Sequence, residues 1–140
     1  MAAGRRISGV SHTTFIVRAL DRTAVFLCEG PGARETYDSA GGDFSRSREK
    51  FFLLGDTWLT AMEGEPPAVR SYQHIAFKVE AAAIPKFEAR PRALGVDIER
   101  GRSRVAGEGG SLYFHDVDNH LFETHAGTPG EHLERYGAAT

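Results

Sequence analysis

His12 and His74 each open the same six-residue pattern, His-x-x-Phe-x-Val, in His12-Thr13-Thr14-Phe15-Ile16-Val17 and His74-Ile75-Ala76-Phe77-Lys78-Val79. Residues at equivalent points of an internal repeat are related by a pseudo-twofold axis, so the two imidazoles are expected to converge near it. Neutral imidazoles ligate divalent metals, and one carboxylate would complete a set that leaves positions open for water or substrate. Glu123 is the candidate, because an ionised acid in the apolar run Leu121-Phe122-Glu123 needs a partner to offset its desolvation. Such a set suits Mn²⁺, Fe²⁺, Ni²⁺ or Zn²⁺, and hard, oxygen-rich ligands tilt the choice toward Mn²⁺. The plainer alternative stays open: each histidine is a hydrogen-bonded core or rim residue, and Glu123 pairs with an arginine. No local metal motif such as H-E-x-x-H supports the set by spacing alone.

The two patterns lie 62 residues apart, and the same offset, without a gap, lays Phe51-Phe52 on Tyr113-Phe114, Asp56 on Asp118 and Leu59 on Leu121. It makes Ala61 the counterpart of Glu123. Each half reads alike. The histidine segments are β-branched and aromatic and suit strands. A helical stretch follows each, Leu20 to Glu29 and Ala81 to Leu94, stopped by Gly30-Pro31-Gly32 and by Gly95, with Pro91 kinking the second. Three short strands then complete each half: Arg34 to Tyr37, Lys50 to Leu54 and Trp58 to Met62, repeated at Val96 to Glu99, Ser111 to Phe114 and His120 to Thr124. Gly55-Asp56 reads as a hairpin turn, and Asp116 to Asn119 as its equivalent.

The predicted fold is therefore α+β, with two βαβββ modules spanning 7–62 and 69–127 of one domain, 1–140. Glu63-Gly64-Glu65-Pro66-Pro67 links them, and a short helix is expected over 130–136. A unit of about 60 residues has a poor surface-to-volume ratio, so the modules should share a core or swap partners across a dimer.

The 140-residue length fits one ordinary domain. Seventeen Lys plus Arg against nineteen Asp plus Glu give a net charge of -2, which offers no footprint for nucleic acid or an anionic membrane. The chain shows no membrane-length apolar run. Cys28 has no partner for an internal disulfide, and Met1 to Arg6 lack the apolar core of a secretory signal, so a cytoplasmic setting is expected. Strand alternation puts Thr14 on the face of His12 and His125 on that of Glu123, whereas His120 falls on the other face and suits turn hydrogen bonding. His115 and His132 read as surface residues, and Cys28 as a small buried one.

The doubled module with His, His and Glu in these places resembles the vicinal oxygen chelate, or glyoxalase/bleomycin-resistance, superfamily. Within it the chain is most similar to the hydrolase branch of the fosfomycin-resistance proteins. The resemblance runs from Ile7 to Tyr136. It rests on Ile7-Ser8-Gly9-Val10-Ser11-His12, Ser47-Arg48-Glu49-Lys50-Phe51-Phe52, Ser71-Tyr72-Gln73-His74-Ile75-Ala76-Phe77, Arg104-Val105-Ala106-Gly107-Glu108-Gly109 and Asp118-Asn119-His120-Leu121-Phe122-Glu123-Thr124-His125-Ala126-Gly127-Thr128.

The resemblance implies that His12, His74 and Glu123 bind a divalent metal, usually Mn²⁺, with no organic cofactor. It implies a homodimer in which one site draws ligands from both chains. It implies an epoxide hydrolase that opens fosfomycin with water, conferring antibiotic resistance. Glu49 would be the general base, Thr14 would hydrogen-bond the emerging oxyanion or phosphonate, and Tyr113, Arg104 and Trp58 would contact substrate. The bland reading of Glu49, among Arg46, Arg48 and Lys50, is a surface ion pair. Two departures weaken the phosphonate site: Gly110 and His132 stand where the family carries arginines, leaving His132 as the substrate contact there. Alternatives are a metal-dependent thiol transferase using glutathione or another thiol, and a metal-free drug-binding module.

Overall fold

The computed structural model describes residues 4, 6–40, 46–84, 96–100, 110–127, 130, 134 and 137. Its elements run in the order β1 (His12–Val17), α1 (Leu20–Glu29), β2 (Arg34–Asp38), β3 (Glu49–Leu54), β4 (Thr57–Glu63), β5 (His74–Lys78), a 3-10 turn at Ala81–Ala83, β6 (Asp97–Arg100), β7 (Ser111–His115) and β8 (Leu121–His125). Most of the expected second helix, 85–94, and most of the expected terminal helix lie outside the described residues, as do Arg104 and His132.

Each half folds into one four-stranded sheet, and the strand order repeats: β1-β4-β3-β2 in the first and β5-β8-β7-β6 in the second. The first strand of each half runs parallel to the last, and the remaining pairs are antiparallel. This is a mixed α+β architecture of two small sheets, with the strands of both expected modules in place and the helix of the first.

The two sheets share one core. Leu20, Thr23, Phe26 and Leu27 form the buried face of α1, at the i, i+3, i+6, i+7 spacing of an amphipathic helix. They meet Val17, Phe52, Leu59 and Ala61 from the first sheet and Phe77, Phe114 and Phe122 from the second. Ring contacts cross between the halves: Phe15 and Phe26 lie 5.2 and 5.7 Å from Phe122, and Phe26 lies 5.9 Å from Phe114. The β7–β8 turn also docks on the first half. Its buried Asp118 accepts the Arg18 backbone N–H and sits 3.6 Å from the Arg22 guanidinium. His120 Nδ1 bonds Asp116 within this turn at 2.7 Å, the turn role expected of it.

One expectation fails instructively. The ungapped 62-residue alignment pairs Leu59 with Leu121 and Ala61 with Glu123, but the hydrogen-bond ladders do not. Four residues separate the paired Leu53 and Trp58, with Gly55 at φ +60° in the two-residue turn, whereas five separate His115 and Leu121. His12 lies opposite Trp58 and Thr14 opposite Thr60, while His74 lies opposite Leu121 and Ala76 opposite Glu123. The counterpart of Glu123 is therefore Thr60, and that of Leu59 is Phe122, a fellow member of the core. Side chains alternate with a period of two, so the extra turn residue moves every β8 side chain to the other face. Without it, Glu123 would point into the phenylalanine core.

Candidate metal centre and reaction face

In both sheets the face away from the core carries the polar residues. On the second sheet, His74 on β5 and Glu123 on β8 meet, with Nε2 to Oε1 3.1 Å. The Glu123 side chain is buried, and that of His74 is largely so. The imidazole is fixed from its other side, since Nδ1–H donates to the Tyr72 carbonyl at 2.7 Å. That bond leaves Nε2 to meet the carboxylate. A neutral imidazole nitrogen and a carboxylate oxygen are both acceptors, so only a proton or a cation between them makes the approach favourable. The donor set, a buried carboxylate beside an imidazole whose other N–H holds a backbone carbonyl, is the arrangement metal-binding histidines adopt. The residues present fit a divalent cation. Among the described residues no arginine takes Glu123; its other oxygen meets Ser111 and His125.

Tyr113, on β7 directly across from Glu123, lies edge-on to His74 at 5.5 Å and shares a 3.0 Å hydroxyl hydrogen bond with Tyr72. Burial, the Tyr72 bond and the nearby Glu123 charge all push its hydroxyl above its ordinary pKa, so it stays a neutral donor.

The first sheet carries a different set. His12 stacks on Trp58, with ring centroids 4.1 Å apart, and accepts or donates a 3.0 Å bond between Nδ1 and Ser11 Oγ. Phe51 and Tyr37 continue this aromatic run. Thr14 shares the face of His12 and is exposed, as strand alternation predicts. Beside it, Thr60 is buried, and its Oγ1 has no hydrogen-bond partner among the described residues. Within one chain the predicted convergence of the two imidazoles does not occur: His12 packs against its own sheet. Among the described residues no group of three or more His, Cys, Asp or Glu side chains gathers to hold a metal.

Glu49 opens β3 on the same face and is 8% exposed. Its backbone N–H is held by Ser39 Oγ at 2.9 Å, yet among the described residues its carboxylate makes no hydrogen bond or ion pair. The surface-pair reading of Glu49 therefore gives way, because its flanking cations are engaged elsewhere. Lys50, on the opposite side of the strand, reaches Glu35 at 2.9 Å, Asp38 at 3.5 Å and Asp21 of α1 at 3.6 Å. Arg48 lies within 4 Å of Asp38, Asp21 and Glu63. β3 is also an interior strand, so neither cation serves to protect a sheet edge.

Gly110 closes the second sheet by accepting the Ala126 N–H, and a side chain there would begin 3.1 Å from Ile84 Cδ1. The backbone thus accommodates the glycine tightly. Sequence reasoning passed over Ser111, although the 62-residue offset makes it the counterpart of Glu49 and could have drawn attention to it. It also passed over Tyr72, whose bond to His74 is made by a main-chain carbonyl that residue type does not reveal. His115 is half-buried rather than a plain surface residue.

No protein-family model matches the chain. A fosfomycin resistance protein FosX from Listeria innocua is 51% identical over 130 residues, covering 93% of this chain and 98% of that one. A metallothiol transferase FosB from Shouchella clausii is more distant, 36% identical over 93% of this chain and 88% of its own. Among solved structures, FosX from Listeria monocytogenes complexed with Mn(II) and sulfate superposes with a TM-score of 0.82 at 46% identity, covering 93% and 98% of the two chains. A mutant of that protein, equally similar in TM-score, identity and coverage, is complexed with Mn(II) and 1S,2S-dihydroxypropylphosphonic acid. A glyoxalase/bleomycin resistance protein/dioxygenase domain from Frankia, 22% identical with a TM-score of 0.71 over 91% of this chain and 98% of its own, shares the fold. With half its residues matched across nearly the whole of both chains, this chain belongs to the FosX family of fosfomycin resistance proteins.

Proposed function

We propose that the chain is a Mn(II)-dependent epoxide hydrolase that opens the oxirane of fosfomycin with water to an inactive vicinal diol. The observation that carries this reading is Glu49: a buried carboxylate that, among the described residues, is unpaired, on the face that bears His12 and Thr14. Water chemistry needs such a base, whereas addition of a thiol does not. The diol-phosphonate bound to the FosX mutant is what water addition to a propyl epoxide phosphonate yields, and supports the same reading.

His74 Nε2, Glu123 Oε1 and His12 would hold the ion. Bound there, Mn(II) supplies Lewis acidity toward the epoxide and phosphonate oxygens. Glu49 takes the proton of a water placed for backside attack on an epoxide carbon; the carbon–oxygen bond on the far side breaks, and its electron pair stays on the departing oxygen. Thr14 donates a hydrogen bond to that oxygen or to the phosphonate. Tyr113 presents its hydroxyl from the second sheet, and Arg104 and His132 supply further phosphonate contacts. Trp58 walls the pocket while seating His12. The lone thiol, Cys28, takes no part, and the cytoplasm is the compartment this reading assigns.

The site is completed by a second copy of the chain. His12 lies apart from His74 and Glu123 within one chain, and β1 and β5 are both sheet edges. Ile7 and Val10 ahead of β1, and their repeat counterparts Val69 and Tyr72 ahead of β5, are all more than 60% exposed. Apolar residues exposed at equivalent positions beside two open edges suit an interface between identical chains.

A phosphorus NMR time course of fosfomycin with the protein and Mn(II), with and without glutathione, cysteine or bacillithiol, tests the reaction. Diol without thiol is expected. An adduct formed only with thiol would replace the reading with a transferase, and metal-free binding without turnover would replace it with a sequestering module.

A further inference from the structure

Glu123 is held by more than His74. Its Oε2 lies 2.6 Å from Ser111 Oγ and 2.9 Å from His125 Nδ1, and Ser111 Oγ lies 2.6 Å from the same Nδ1. Ser111 and His125 are direct cross-strand partners on β7 and β8, and Glu123 stands two residues before His125, so all three side chains share a face. One proton arrangement satisfies these three contacts. A bare Nδ1 would turn its lone pair on a carboxylate oxygen; Nδ1–H instead points between Oε2 and Oγ, and the Ser111 hydroxyl donates to Oε2. Oε2 thus receives two donors, and Oε1 is the oxygen left facing Nε2 of His74.

We propose that Ser111 and His125 are positioning residues of the metal centre: together they fix the Glu123 carboxylate so that it offers a single oxygen, Oε1, to a divalent cation beside His74. This rests on the reading of His74 and Glu123 as ligands. A carboxylate free to rotate presents one or both oxygens to a hard cation, so the ordering must be done at binding. Two donors on Oε2 do it in advance. The device belongs to the second sheet alone, since the corresponding cross-strand pair of the first sheet is Glu49 and Met62.

The test is Mn(II) titration of the full-length, metal-stripped protein, with free ion followed by electron paramagnetic resonance. Ser111→Ala and His125→Leu are expected to bind Mn(II) about 10- to 100-fold more weakly than the unaltered chain. His125→Asn places an amide N–H near the position of Nδ1 and is expected to restore most of the affinity. Unchanged affinity in both Ser111→Ala and His125→Leu overturns the proposal. So does His125→Asn binding as weakly as His125→Leu, which would mean that ring packing, and not the N–H, matters. If His125→Leu fails to fold, Ser111→Ala and His125→Asn decide by the same criteria. The reading of the ligands fails separately: no Mn(II) uptake by the unaltered chain, or unchanged uptake by His74→Ala, removes the metal site itself and this inference with it.

Discussion

The two sheets have the same strand order and the same core-facing pattern, yet their polar faces are built oppositely. On the second, His74, Glu123, Ser111 and His125 form a connected set in which the buried carboxylate is held at Oε2 by Ser111 and His125 and turns Oε1 to His74. On the first, the acid sits on a different strand and its carboxylate is unpaired among the described residues, while the histidine is held by stacking on Trp58. A buried carboxylate held at one oxygen is fixed in place and suits a ligand; one that is unengaged remains available to take a proton. On the proposed reading a duplicated module is divided into a holding face and a reacting face by differences at equivalent positions: Thr60 against Glu123, Glu49 against Ser111, Met62 against His125 and Trp58 against Leu121.

The sharpest way to break this contrast is to remove the residue that separates the two ladders. Deleting Val117, exposed in the β7–β8 turn, should force β8 into the register of β4 and turn Glu123 into the core. Loss of Mn(II) binding together with a large fall in melting temperature is expected; a variant that keeps both would show that turn length does not set the face. Next in size is Glu49→Gln. Fosfomycin hydrolysis should fall by about 10²- to 10⁴-fold while Mn(II) affinity stays as it was. Equal loss of both would place Glu49 among the holding residues and erase the division. Trp58→Leu should act more weakly, removing a ring contact of about 0.5–1.5 kcal/mol that seats His12, and titration with Mn(II) should read it as a modest loss of affinity.

The smallest effect lies on the reverse of the first sheet. The Ala40 backbone N–H and the Arg48 guanidinium hold the Asp38 carboxyl below its ordinary value of 3.8, and the Glu35 carboxylate holds Lys50 above 10.5. A lowered carboxyl contributes stability above its unfolded value and loses it as pH falls through the folded one; a raised amine contributes below 10.5 and loses it as pH rises through its folded value. Melting temperature should therefore decline on the acid side below about pH 4 and on the alkaline side above 10.5. Asp38→Asn should flatten the first limb and Glu35→Gln the second, each by a small amount because these groups are partly solvated and screened. Neither change should alter Mn(II) affinity, since Lys50 and Asp38 lie on the side of the sheet opposite His12.

Much of this was legible in the residues. The repeated His-x-x-Phe-x-Val pattern gave the duplication, and β-branched runs, Gly-Pro-Gly and Gly-Asp gave strands, a helix and a turn within a residue or two of where they stand. Period-two alternation alone put Thr14 beside His12 and His125 beside Glu123. The register of β8 was not legible, because an ungapped repeat looks as good as one with a single inserted turn residue until hydrogen bonds fix the pairing. The isolation of Glu49 from Arg48 and Lys50 was hidden too. Adjacent charges in sequence suggest pairing, while in a strand they point to opposite sides.

The amino-acid order by itself determined the two modules, the family and the candidate ligands, since these follow from local periodicity and residue chemistry. Which oxygen of Glu123 faces His74, which acid is left unpaired, and that His12 stays with its own sheet were decided only by tertiary structure. Those outcomes depend on cross-strand register and on which neighbours meet across the sheets, and both are set by contacts between segments far apart in the chain.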